Sequence, residues 1–157
     1  LTEDSSPTSA LEVVRREQLR QSVAERDKLR AVLAAREAGA TQAQVAEALG
    51  VSQPAVVKML ARAADKAPAI REGFSSATPL EVAERYAAGL ISREQMRAEL
   101  STWDYTPTPR PDGPYDEIWV EDVNSFDGVR QATRYGLIDY DDYDAILAGR
   151  RQHVTQD

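Results

Sequence analysis

From Ala10 to Ala38 the chain carries neither Gly nor Pro, and Leu11, Val14, Leu19, Val23, Leu29, Val32 and Leu33 form an interrupted apolar face among Arg, Gln and Glu. This is helix composition on a helical period. It predicts one rod of ~29 residues, about 43 Å long at 1.5 Å per residue. Arg26 and Arg30 fall where a coiled-coil seam needs apolar side chains, so a long coiled coil is not expected. A rod of that length exceeds one small domain. Its first half is expected to meet another chain or to be a separate helix, and it is the candidate dimerisation element, with the C-terminal hairpins as the alternative.

Two short helices follow. Gly39 stops the first rod, Thr41 caps a helix running to Leu49, and Gly50 ends it. Ser52 caps the next helix, with Pro54 in its first turn, and that helix runs to about Asp65. Val45 and Leu49 share one face, Ala46 is small where a second helix would cross, and Gly50 supplies the positive φ of a tight turn. Val51 is expected to plug the core after the turn, and Val56 with Met59 or Leu60 to bury the second helix.

The second half restarts at Thr78-Pro79-Leu80-Glu81, a capping box whose helix stops at Gly89. Ser92-Arg93-Glu94-Gln95 opens another, to about Trp103. Thr106 to Pro114 is a Pro-rich connector, and Ile118-Trp119-Val120 is a short strand or an extended anchor. Ser125 or Asp127 starts a helix ended by Gly136, and Asp139 caps a last one through Leu147. Gly89-Leu90-Ile91-Ser92 and Gly136-Leu137-Ile138-Asp139 repeat at an offset of 47 residues, with Leu-Ile expected to bury at each corner. They read as two helical hairpins sharing turn chemistry. The expected fold is all-α: a helix-turn-helix bundle preceded by a long helix, then a second small helical region of two hairpins with a Pro-rich connector. The boundaries are a flexible leader at 1–9, the helix-turn-helix domain with its long helix at 10–66, a linker at 67–77, an acidic helical partner-binding region at 78–152, and a tail at 153–157.

Charge divides the same way. Residues 1–71 hold 11 basic and 9 acidic side chains, and residues 72–157 hold 8 and 17, within a net charge of −7 over 157 residues. The basic part suits phosphates. The acidic part is repelled by them and suits a basic protein partner, or simply a solvated surface. With no Cys and a single His, His153, disulfides, thiolate zinc and histidine metal centres are excluded. No apolar run approaches a membrane span and no signal-like segment is seen, so a soluble, cytoplasmic chain is expected. Leu1 stands where Met would open a reading frame, which raises the expectation that residues before it are missing. The Asp139, Asp141, Asp142 and Asp144 cluster lacks the Gly and distal Glu of a calcium loop. Phosphate-loop and hydrolase signatures are absent. No enzyme, metal or cofactor is expected.

The phrase Ala-Leu-Gly-Val-Ser-Gln-Pro-Ala-Val, within a stretch covering about residues 24–64, resembles the helix-turn-helix of bacterial repressors and site-specific recombinase DNA-binding domains. It is followed by Met59-Leu60-Ala61-Arg62, where the phage-repressor-like branch closes with an aromatic or Glu-Arg-Gly-like ending. The resemblance implies a second helix lying in the major groove, its N-terminal residues on base edges. On this chain Ser52, Gln53 and Pro54 begin that helix. Gln53 then reads adenine through N6 and N7, and Ala55 and Val57 touch thymine methyl groups. Lys58 and Arg62 reach phosphate or guanine. Thr41 and Gln42 hold a phosphate at a helix N-terminus. Ser52 and Thr41 are caps in either case, and Lys58 and Arg62 have the alternative of ordinary solvated side chains.

Gly-Leu-Ile-Ser-Arg-Glu-Gln and Trp-Asp-Tyr-Thr-Pro are similar to segments of actinobacterial regulators encoded beside toxins. That resemblance implies an autoregulating antitoxin: a homodimer on a palindromic double-stranded operator, with its acidic region on a protein toxin. Trp103, Tyr105, Tyr115, Trp119, Tyr140 and Tyr143, aromatics amid acids, are candidates for that surface or, at helical spacing, for core. The alternative from another class is a helical scaffold that neutralises a basic protein and does not bind DNA.

Overall fold

The computed structural model describes residues 7–107 and 122–155. Helix α1 (Pro7–Glu37) is followed by α2 (Gln42–Leu49), α3 (Gln53–Lys66), α4 (Pro79–Ala87), α5 (Arg93–Thr102), α6 (Asp127–Arg134) and α7 (Tyr140–Thr155), with no strand among the described residues. Local chemistry sets the ends. Thr41 Oγ1 accepts from the Gln44 N–H at 3.1 Å while Gln44 Oε1 accepts from the Thr41 N–H at 2.8 Å, a complete capping box. Ser52, Thr78 and Ser92 cap α3, α4 and α5 with one half of that arrangement, each side chain accepting from the N–H three residues on and none receiving the return bond, so the boxes expected at Thr78 and Ser92 are single caps. Such a cap stabilises its helix by roughly 0.5–2 kcal/mol. Helix α1 begins at Pro7, three residues before the expected Ala10, because proline is harmless at the first helical position. The predicted Ile118-Trp119-Val120 strand lies outside the described residues, as does most of the Pro-rich connector; on either side of that segment, Thr106 pairs with Ser125 in one parallel bridge.

The C-terminal half of α1 packs with α2 and α3 around Val32, Val45, Ala46 and Val56. Burial of such a side chain contributes roughly 1.5–3 kcal/mol. Val51 does not plug this core. It is exposed, and Ala35, Ala40, Leu49 and Leu60 close the core instead. Its N–H is committed to the Ala46 carbonyl, which places it on the outer corner of the turn.

Helices α4–α7 enclose the larger core, with Met96, Leu100, Val129 and Ile146 fully buried. The two hairpins share one turn geometry. Gly89 and Leu90 donate to Tyr86 and Arg85, and 47 positions later Gly136 and Leu137 donate to Thr133 and Ala132, both paired C-terminal closures of a helix. The second copy buries its Leu137 and Ile138; in the first, Leu90 stays 48% exposed, so only one corner is sealed as expected. Helix α7 continues past the expected Leu147 to Thr155.

Helix α1 serves both halves. Its first part does not need another chain: Leu19 packs on the larger core, and the Arg20 and Arg15 guanidiniums donate to the Ala88 and Tyr135 carbonyls. Those carbonyls lie at equivalent C-terminal positions in the two hairpins, where a cation is favourable by about 0.3–1 kcal/mol. Arg26 pairs with Glu84. Arg30 grips the buried Glu81 with two bonds, at 2.7 and 2.9 Å, and Arg85 does the same to Asp27, at 2.9 and 2.6 Å. The two charges that argue against a coiled coil are therefore the contacts that fasten α1 to α4.

Candidate nucleic-acid interface

Helices α2 and α3 meet through the turn at Gly50, whose φ of 66° lies in the left-handed region that glycine adopts without strain. Val56 and Ala63, both 0% exposed, aim one side of α3 inward. The rest of its circumference is accessible: Gln53, Pro54, Val57, Lys58 and Arg62 are exposed, Ser52 at the cap is exposed, and Ala55 is half-buried. Val57 is 48% exposed, an apolar group left in solvent within an otherwise polar face. Thr41 is exposed and Gln42 half-buried at the start of α2, about 12 Å from the turn by the length of that helix. First-turn N–H groups of such a helix have no intrahelical acceptor.

Charge pairing is uneven along α1 and α3, and Arg15, Arg16 and Arg36 of α1 have no carboxylate partner among the described residues. In α1, Arg20, Arg26, Lys28 and Arg30 each have a carboxylate partner. In α3, Lys58, Arg62 and Lys66 have none among the described residues, although Asp65 stands on the same helix. Lys58 lies on the outward face, whereas Arg62 and Lys66 lie on the flank turned to α1, bordering a groove of about 500 Å³ that Gln18, Gln21, Glu25 and Glu84 also line. Lys66 is absent from the sequence-derived set. It stands one turn beyond Arg62, and an i, i+4 extension from Arg62 finds it.

The aromatic candidates divide. Trp103 is 3% exposed and packs edge-on against Phe74 at 4.7 Å, so it belongs to the core and is withdrawn from any partner surface. Tyr105 and Tyr143 are half-buried against Phe126, and the Tyr105 hydroxyl donates to the Leu100 carbonyl. Burial pushes the Tyr105 hydroxyl well above its ordinary pKa. Tyr140 is 78% exposed. Tyr115 and Trp119 lie outside the described residues. The physical reason is helical spacing: Trp103 and Tyr143 fall on the inward faces of the hairpins.

No helix among the described residues is long and apolar enough to cross a membrane. No curated protein matches the chain, and no solved structure matches it. Residues 22–70 match the family model of a homeodomain-like domain. That span runs from the middle of α1 through α3 and so coincides with the helix-turn-helix-type arrangement of this half of the fold.

Proposed function

We propose that the protein is a sequence-specific, DNA-binding transcriptional regulator whose α3 enters the major groove of a palindromic operator. The observation that carries this reading is the accessible start of α3, where Gln53, Val57 and Lys58 stand in solvent beside the Ser52 cap and Lys58 has no carboxylate partner among the described residues. Gln53 reads adenine, Ala55 and Val57 meet thymine methyl groups, Lys58, Arg62 and Lys66 neutralise phosphates, and Thr41 and Gln42 hold the backbone from α2. One module binds weakly, so a homodimer places two copies on half-sites about one helical turn apart. Leu11 and Val14 of α1, 67% and 64% exposed, are the apolar pair left for that contact. The acidic hairpin region, with Tyr140 and the start of α7, is the surface for a basic protein partner, the toxin of a toxin–antitoxin pair.

The test is an electrophoretic shift on DNA flanking the gene, run across a salt series. Binding weakens as salt rises, Lys58→Glu abolishes it and Gln53→Ala relaxes its sequence preference. A chain that retains no duplex at low salt is not a DNA-binding regulator, and the scaffold reading takes its place. Leu11→Glu with Val14→Glu yields a monomer in sedimentation. The partner assignment rests on co-purification of the full chain with the product of the adjoining gene, and lack of association ends it.

A further inference from the structure

The outer faces of α6 and α7 carry charges of both signs that the molecule leaves unpaired. Arg130 and Arg134 stand one turn apart on α6, and both are exposed. The Arg134 guanidinium makes no ion pair or hydrogen bond among the described residues, and Arg130 comes no closer to a carboxylate than 3.9 Å, to Asp127. Like charges at that spacing repel each other. On α7, Asp141 and Asp144 are exposed and have no cationic partner among the described residues. Tyrosines adjoin both pairs. Tyr140, one turn before Asp144, is 78% exposed, and Tyr135 is 56% exposed. Tyr140 and Tyr143 wall a cleft of about 370 Å³ with Arg130, Thr133 and Arg134.

We infer that this strip is where a second copy of the chain docks, related to the first by a two-fold axis beside Tyr140. On the strip a wholly basic partner meets both arginines, and a wholly acidic one, nucleic acid included, meets both aspartates. A second copy turned about the axis sets α6 against α7, arginines over aspartates, and does so twice. That is the self-complementarity an isologous contact requires. The spacings match, since Arg130 to Arg134 is about 6 Å along its helix and Asp141 to Asp144 about 4.5 Å. Tyr140 then enters the partner's cleft, where guanidiniums meet the face of its ring. Tyr and Arg are also the side chains that interfaces favour. A strip of this size buries less than the ~800 Å² per partner of a stable complex, so the contact is weak. It competes for Tyr140 with the basic partner proposed above, and it does not rest on the DNA reading.

The experiment is sedimentation velocity on the full chain without DNA, from about 10 to about 1,000 μM. It is run on the chain as it stands and with Leu11→Glu and Val14→Glu, so that association through α1 is counted apart. In the second form the sedimentation coefficient is expected to rise with concentration, with Kd on the order of 100 μM. The rise is expected to shrink when NaCl goes from about 50 to about 500 mM. Arg134→Glu and Asp144→Arg, each added alone, weaken the association at least about tenfold, because each meets a like charge across the axis. Mixed in equal amounts, the two variants recover it, since each now offers the other the opposite sign. A misfolded variant cannot give that recovery. A coefficient that does not change with concentration, association that either single variant leaves intact, or a mixture that fails to recover overturns the assignment. Association that Arg134→Glu strengthens marks a basic surface as the occupant and overturns it as well.

Discussion

Glu81 shows how one residue holds two parts of the molecule. It is 2% exposed, yet it accepts from Arg30, Arg85 and the Ala77 N–H. Burial pushes its carboxyl up, but the hydrogen bonds from Arg30 and Ala77 and the nearby guanidinium charges outweigh that, so its pKa lies below the ordinary carboxylate range. Asp27 is held low in the same sense: burial raises it, and Arg85 and Arg30 more than compensate. A carboxyl depressed by folding contributes stability that is fully present above its unfolded pKa, near ~4, and is lost as pH falls through the lower folded value. Melting temperature is therefore flat from neutrality to about pH 5 and drops below about pH 4. In Glu81→Gln the acid drop is shallower and urea unfolding at pH 7 loses about 1–3 kcal/mol, because Arg30 and Arg85 lose one charged partner and keep Asp27. The caps are legible in sequence because each is a bond between residues three apart, as in Thr41–Gln44 and Ser92–Gln95. Arg30–Glu81 is not, since 51 positions separate the partners and no periodicity links them.

At the scale of elements, α7 departs most from expectation. Gly149 reads as a place to stop, yet the helix runs through it to Thr155. A Cβ there would sit 2.4 Å from Ser101 Oγ and 2.7 Å from its Cβ, so glycine lets α5 and α7 approach closely. Helix propensity alone favours Gly149→Ala by up to ~1 kcal/mol. The clash dominates, and the variant is expected to be less stable by about 1–3 kcal/mol in denaturant titration. The same substitution combined with Ser101→Gly restores most of that loss. Propensity reasoning could not foresee the element because the reason for the glycine lies on another helix. In α3 the inward face was legible from Val56 and the turn from Gly50, while the exposed flank shared by Arg62 and Lys66 depends on where α1 lies. Replacing Lys58, Arg62 or Lys66 singly by Ala reduces the slope of log affinity against log salt by about 1 each, with sequence preference unchanged for Arg62 and Lys66.

Across the whole molecule, the charge division marks a real change of surroundings but not a separable pair of domains. Arg26, Asp27 and Arg30 lie inside the homeodomain-like span, and their partners Glu84, Arg85 and Glu81 lie outside it. A fragment limited to residues 22–70 thus keeps the small apolar core of Val32, Val45 and Val56 and loses every one of those partners. It is expected to melt well below the full chain in calorimetry, while the full chain unfolds in one cooperative transition. Equal melting temperatures would show that the α1–α4 contacts carry no stability.

An uninterrupted α1, together with the covalent route through residues 67–77, closes a loop between the two halves. Such a frame cannot swivel as beads on a string do. If α3 lies in the major groove as proposed, whatever docks at the acidic end is carried around the duplex at a constant azimuth set by that helix. Two operators spaced by whole helical turns, about 10.5 base pairs each, present their cargo on one side of the DNA. An extra half-turn puts the cargo on opposite sides and abolishes any cooperation between them.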